Sequence, residues 1–148
     1  MLNIKQVLCV CIGNSDRSPL MAAVLGMYLQ NAGHEVTVES AGMMEFTKNG
    51  GSASPNGVVS AKRLGLDLSG HQKRWVGSLD LSRYELIVCV DETVAGELFG
   101  KYKVPTEKIF NIQLSNPWPS SDQRDHDEVA ENVMAKMYRV VTRRFSEK

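Results

Sequence analysis

The sequence predicts an α/β architecture: a doubly wound, four-stranded parallel sheet with helices on both faces. Three observations carry that expectation. Short apolar runs of strand length alternate along the chain with segments whose apolar residues recur at helical spacing. Parallel strands joined through helices need right-handed crossovers, which distribute the helices over both faces of a sheet. The 148 residues are 43% apolar, which suits one domain spanning 1–148 around one core.

The elements follow in order. Residues 4–10, Ile-Lys-Gln-Val-Leu-Cys-Val, read as a buried strand, and residues 11–18, Cys-Ile-Gly-Asn-Ser-Asp-Arg-Ser, as a loop. Pro19 suits a first helical turn. Leu20, Met21, Val24, Leu25, Tyr28 and Leu29 then repeat at helical spacing until Gly33. Residues 35–40 alternate as a second strand, 43–56 read as a loop and 57–64 as a short helix. Residues 86–90 form the most apolar strand. A helix over 92–102 follows, with Val94, Leu98 and Phe99 expected inward, and then a strand over 108–114. Residues 116–124 are a polar loop. Asp125 and Glu128 read as the start of a closing helix whose inner face is Val129, Val133, Met137, Val140 and Phe145.

The composition narrows the partners. Seventeen basic and 17 acidic residues balance, which argues against nucleic acid or an anionic membrane. Three cysteines, Cys9, Cys11 and Cys89, do not make a disulfide framework. The start has no signal-like apolar run, and no stretch reaches the ~18 apolar residues of a membrane span. A reducing, cytoplasmic setting is expected.

The chemistry concentrates in residues 11–18. A strand feeds the loop and a helix leaves it, and in doubly wound sheets ligands bind beyond the carboxyl ends of the strands. Gly13 suits a tight turn, and Asn14 takes a left-handed conformation at low cost. Amides of such a loop, together with a helix N-terminus, make an anion nest. Arg17 adds a planar fork that matches two phosphate oxygens. The same positive field favours Cys11 as thiolate, the nucleophilic form. The ordinary reading is a buried thiol at a strand end and a solvated arginine. A nucleotide P-loop is disfavoured because its Gly-Lys-Ser/Thr ending is absent.

Residues 10–22, Val-Cys-Ile-Gly-Asn-Ser-Asp-Arg-Ser-Pro-Leu-Met-Ala, resemble the signature of the low-molecular-weight protein-tyrosine phosphatases and of their thioredoxin-coupled arsenate reductase relatives. Ser40-Ala41-Gly42, Gly65 with His71 and Arg74, the segment 84–91 and Asn116-Pro117-Trp118 resemble further landmarks of that family in the same order. The resemblance implies a flavodoxin-like fold and phosphomonoester hydrolysis on a phosphorylated protein or small aryl phosphate, with no cofactor and no metal. Cys11 would attack phosphorus, Arg17 would hold the equatorial oxygens, and Ser18 would donate to the departing thiolate. Ile12, Gly13, Asn14, Ser15 and Asp16 would complete the substrate cradle. Asn14, Ser40 and His71 would fix the loop. Trp118 and the segment near Phe46 would wall the mouth, although packing alone would also explain Trp118, and a satisfied structural histidine would explain His71.

Two positions depart from the family pattern. Asn116 stands where the family carries its general-acid aspartate, and an amide cannot give up a proton; losing a general acid costs ~10²–10⁴-fold in rate. Asp122, Asp125 and Asp127 lie nearby as substitutes or as plain helix-start charges. Asp16 stands where many members have a second cysteine. Facing the pocket it would repel a dianion; facing solvent it would do little; protonated, it would stand in for the missing acid. The chain is therefore either a phosphatase weakened in acid catalysis or a pseudo-phosphatase that binds phosphate or a phosphorylated partner. An arsenate reductase needs two further relay cysteines, and Cys9 and Cys89 are badly placed for that.

Overall fold

A computed structural model describes residues 3–145, so the two ends of the 1–148 span lie outside the described residues. Four parallel strands, β1 (Gln6–Cys11), β2 (Thr37–Gly42), β3 (Leu86–Cys89) and β4 (Ile109–Asn111), pair in the order β2-β1-β3-β4. The helices are α1 (Arg17–Asn31), α2 (Pro55–Arg63), α3 (Glu92–Gly100) and α4 (Gln123–Arg144). β1 and β3 are central, and every residue of both except Gln6 is buried, which is why they read as unbroken apolar runs. The chain leaves β1 through α1 toward β2, and leaves β3 through α3 in the opposite direction toward β4. Right-handed crossovers running in opposite directions put α1 and α3 on opposite faces. The strand order therefore reverses at β1 and β3, and the loop after β1 opens into that crevice.

Strand and helix ends shift by one or two residues from the sequence reading, β2 for example running over Thr37–Gly42 and not 35–40, and four further details differ. α1 begins at Arg17, before Pro19; a proline in the first turn is tolerated because amides there have no intrahelical partner. β4 ends at Asn111, short of residue 114: Gln113 has φ 52 and donates its amide to Asn111 Oδ1 at 2.9 Å, a local turn that breaks the regular ladder, although the Ile112 and Leu114 amides still donate to the Cys89 and Val90 carbonyls. α4 begins at Gln123 with Asp122 as its cap, accepting from the Arg124 amide, so Asp125 lies inside the first turn. Phe99 is 56% exposed. It follows Leu98, which points into the core, and one residue further along a helix turns the side chain by about 100°.

The buried apolar residues form one cluster, with Val129, Val133, Met137 and Val140 of α4 among them and Phe145 packed at its edge. Among the described residues, no helix is long and apolar enough to cross a membrane.

Candidate functional site

Residues 11–18 wrap into a cradle at the end of β1. Asn14 is its keystone: fully buried and at φ 51, the left-handed region that asparagine reaches more cheaply than most residues. Its Nδ2 donates to Ser18 Oγ at 2.8 Å and to Ser40 Oγ at 3.0 Å, and its Oδ1 accepts from the Arg74 amide at 2.9 Å. Its carbonyl accepts from His71 Nε2 at 2.7 Å, which fixes the tautomer of that ring. Desolvation holds His71 below the usual histidine range, against the pull of that carbonyl, so the ring is neutral near pH 7. Gly42, at the end of β2, backs the loop; a Cβ there would come within 2.7 Å of Thr47 and 2.9 Å of the Ile12 carbonyl. Asn14→Ala removes three side-chain hydrogen bonds and forces alanine into a left-handed backbone. It is expected to cost about 2–4 kcal/mol, read as a lower denaturant midpoint at unchanged slope.

Cys11 Sγ lies inside this frame, 3% of the residue being exposed. The Asn14 amide donates to it at 3.2 Å, and Ser18 Oγ is 3.0 Å away. Since Asn14 Nδ2 already donates to Ser18 Oγ, that hydroxyl can turn its own proton toward a sulfur anion. Arg17, 4% exposed, reaches across the strand ends, where its NH1 donates to the Leu114 carbonyl at 3.1 Å. One bond anchors the guanidinium and leaves further N–H donors for a ligand. The Leu114 carbonyl carries no sequence signal, because any residue supplies one. Phe46, 48% exposed, stands beside the cradle: its ring lies 3.7 Å from where a Cβ on Gly13 would be. Lys73 Nζ lies over that ring, 5.6 Å from its centroid.

Asn116 and Trp118 share an exposed loop. Asn116 Oδ1 accepts the Trp118 amide at 3.1 Å, and Trp118 is 77% exposed. The aspartates nearby are engaged. Hydrogen bonds from Arg124 hold the Asp122 carboxyl down at about 2, ionised in any neutral buffer. Asp127 accepts from Ser60 Oγ and Gln123 Nε2, and pairs with Arg63. Asp125 accepts from Ser120 Oγ at 2.5 Å, and it borders a cleft of about 280 Å³ that Asn116 also lines.

Asp16 neither caps α1 nor faces solvent. Its carboxylate meets His126 Nδ1 at 2.7 Å; His126 is buried and Asp16 half-buried, with side-chain exposures of 6% and 19%. Its Oδ1 lies 2.8 Å from where a Cβ on Gly57 would be, so glycine in the first turn of α2 makes room for it. The other ring nitrogen of His126, Nε2, meets the Ser120 carbonyl at 2.8 Å. Burial works against a charged ring, but the Ser120 carbonyl and the Asp16 carboxylate outweigh it and hold His126 above the ordinary histidine range. Sequence reasoning missed His126, which stands 110 residues from its partner with no motif around it.

The family model for low molecular weight phosphotyrosine protein phosphatase matches residues 6–142. The chain belongs to that family. Its chemistry class is therefore protein-tyrosine phosphatase. It is 32% identical over 109 residues to the probable low molecular weight protein-tyrosine-phosphatase EpsP of Ralstonia nicotianae, covering 74% of this chain and 71% of that one. It is 30% identical over 91 residues to the low molecular weight phosphotyrosine protein phosphatase of Sus scrofa, covering 60% and 56%. Among solved structures, Vibrio vulnificus Wzb in complex with benzylphosphonate superposes with TM-score 0.84 at 21% identity, covering 95% of this chain and 99% of that one. The low molecular weight protein tyrosine phosphatase of T. tengcongensis gives 0.83 at 23% identity, covering 93% and 98%. These structures carry the fold.

Oxidation should distinguish this phosphatase from relatives with a second cysteine at position 16. A sulfenic acid on Cys11 needs a neighbouring thiolate to rescue it as a disulfide. Burial pushes the Cys89 thiol up to about 12, and burial beside Cys11 pushes Cys9 far above its usual range, so neither offers one. Prolonged peroxide followed by thiol reductant is expected to restore only part of the activity, with Cys11 sulfinic acid found by mass spectrometry. Full recovery would show that a resolving group exists.

Proposed function

We propose that this protein is a cytoplasmic, single-domain phosphomonoesterase that acts on phosphotyrosine in a protein, or on a small aryl phosphate, with weakened general-acid catalysis. The observation that carries the reading is the surroundings of Cys11 Sγ: the Asn14 amide donates to it at 3.2 Å, the Ser18 hydroxyl oxygen lies 3.0 Å away, and a buried Arg17 belongs to the same loop. Polar groups fixed around the sulfur before the substrate arrives suit transfer of a phosphoryl group to it, without reorganisation at the moment of reaction. In the first step the sulfur forms a bond to phosphorus, the bond to the phenolic oxygen breaks, and Arg17 bridges the equatorial oxygens. In the second, water displaces the sulfur and Ser18 donates to the departing thiolate. No step calls for a metal.

Asn116 supports the weakened step. Its amide has no acidic proton for a leaving oxygen, and its Oδ1 is already committed to the Trp118 amide. The same residue argues for the second reading, a pseudo-phosphatase that binds a phosphorylated partner and turns over slowly. Pre-steady-state kinetics on nitrophenyl phosphate separates the two. A stoichiometric burst followed by slow turnover is the result expected of an enzyme, and absence of both burst and turnover would identify a binding module.

A further inference from the structure

His126 lies between two acceptors. Asp16 Oδ2 at 2.7 Å and the Ser120 carbonyl at 2.8 Å can both only accept from the ring while Asp16 is ionised. The ring serves both acceptors at once only when both its nitrogens carry protons, as an imidazolium beside a carboxylate. Its two ends belong to different parts of the catalytic apparatus. Asp16 belongs to the cradle, between Ser15, whose carbonyl accepts from the Ser54 amide at 2.8 Å, and Arg17. Ser120 belongs to the loop that carries Asn116 and Trp118, and its amide closes a turn onto the Pro117 carbonyl at 2.8 Å.

We propose that Asp16, His126 and the Ser120 carbonyl form a clamp that positions the Asn116–Trp118 loop over the phosphate cradle, with charged His126 as its positioning residue. The proposal deepens the phosphatase reading and rests on it. It also gives Asp16 a task at a position where a second cysteine would otherwise stand: the carboxylate neither faces the incoming dianion nor supplies a proton, but ties the cradle to α4. Gly57 belongs to the same device, since a side chain there would evict the carboxylate.

The charge on the ring is the adjustable part. The charged groups that act on it are Asp16 from the cradle and Asp125 from its own helix. The other charged side chains nearby are committed elsewhere: Arg17 of α1 to Leu114, Arg63 of α2 to Asp127, and Arg124 of α4 to Asp122. The folded ring binds its proton more tightly than an ordinary histidine of value 6.5. The clamp is therefore complete below that value, and it is lost as pH rises through the raised one. Once neutral, the ring can donate to only one of its two acceptors.

The test compares the native chain with His126→Gln and the isosteric Asp16→Asn. Amide hydrogen exchange at Trp118 and Ser120 is expected to speed up about 10-fold in either variant, while the Asn14 amide is unmoved. The kcat/KM for nitrophenyl phosphate is expected to fall about 10-fold, as misplacement at a site can cost, with inhibition by inorganic phosphate, which needs the cradle alone, changed less than about 2-fold. In the native chain kcat/KM is expected to fall as pH rises through the His126 titration followed by NMR. Asp16→Asn should move that limb to lower pH, and His126→Gln should erase it. Unchanged loop exchange and an unchanged pH profile in both variants would overturn the clamp, as would equal loss of phosphate binding, which would mean that the pair only supports the cradle. The exchange readout needs no turnover. A native chain that hydrolysed no ester would overturn the phosphatase reading and leave the clamp to be decided by exchange and the His126 titration.

Discussion

Cys11→Ser is expected to reduce turnover of nitrophenyl phosphate by about 10⁴-fold or more, as removal of a nucleophile does elsewhere, while inorganic phosphate still binds. The two halves of that result come from different parts of the site. The proposed nucleophile is one sulfur, and a serine hydroxyl at neutral pH is a far weaker one without a base beside it. Among the described residues none stands ready: the bonds found for His71 and His126 run to Asn14, Asp16 and Ser120. The cradle does not depend on the sulfur. Asn14 is held through Ser40, Ser18, His71 and Arg74, and Arg17 is held through Leu114. Phosphate should therefore still protect the variant against thermal unfolding. Loss of phosphate binding along with activity would mean that the sulfur holds the loop together.

Asn116→Asp is expected to raise hydrolysis of tyrosine phosphate by about 10-fold or more, within the range of general-acid catalysis. The native chain should show a steep dependence on leaving-group pKa, with nitrophenyl phosphate far ahead of phenyl or tyrosine phosphate. The variant should flatten that dependence, and its rate should fall at higher pH as the new carboxylic acid ionises. A flat dependence in the native chain, with no gain in the variant, would mean that another group already supplies the proton. Asp122 is an unsuitable substitute because Arg124 holds it ionised, and Asp16 faces His126. Asp125 borders the cleft beside Asn116 and would be the first to replace.

Much of this was legible in the sequence, for physical reasons that can be named. Strands buried on both faces must be apolar throughout, so β1 and β3 announce themselves. A loop that holds an anion needs glycine, asparagine and arginine at set positions, so residues 11–18 do too. Edges were harder. β4 is cut short by a turn that Asn111 makes with Gln113, and the start of α4 was misplaced because several aspartates there compete for one cap. Helical spacing points Phe99 inward, yet it is exposed, since only a narrow stripe of α3 meets the core. The surroundings of Asp16 were beyond reach. The sequence leaves it facing the pocket, facing solvent or protonated as an acid; its histidine partner lies on α4, 110 residues away, where no local pattern points to it.

The central claim is that Cys11 carries the phosphoryl group during turnover. The proposed role of position 116 makes this directly measurable: a general acid that protonates the leaving group would also activate water in the second step, so with Asn116 there breakdown of the intermediate is expected to be slow as well. Rapid acid quench during hydrolysis of nitrophenyl phosphate, followed by mass spectrometry, should find one phosphoryl group per chain, on Cys11. Steady release of nitrophenol with no phosphoryl group on Cys11 at any quench time, or with the group on another residue, would contradict it.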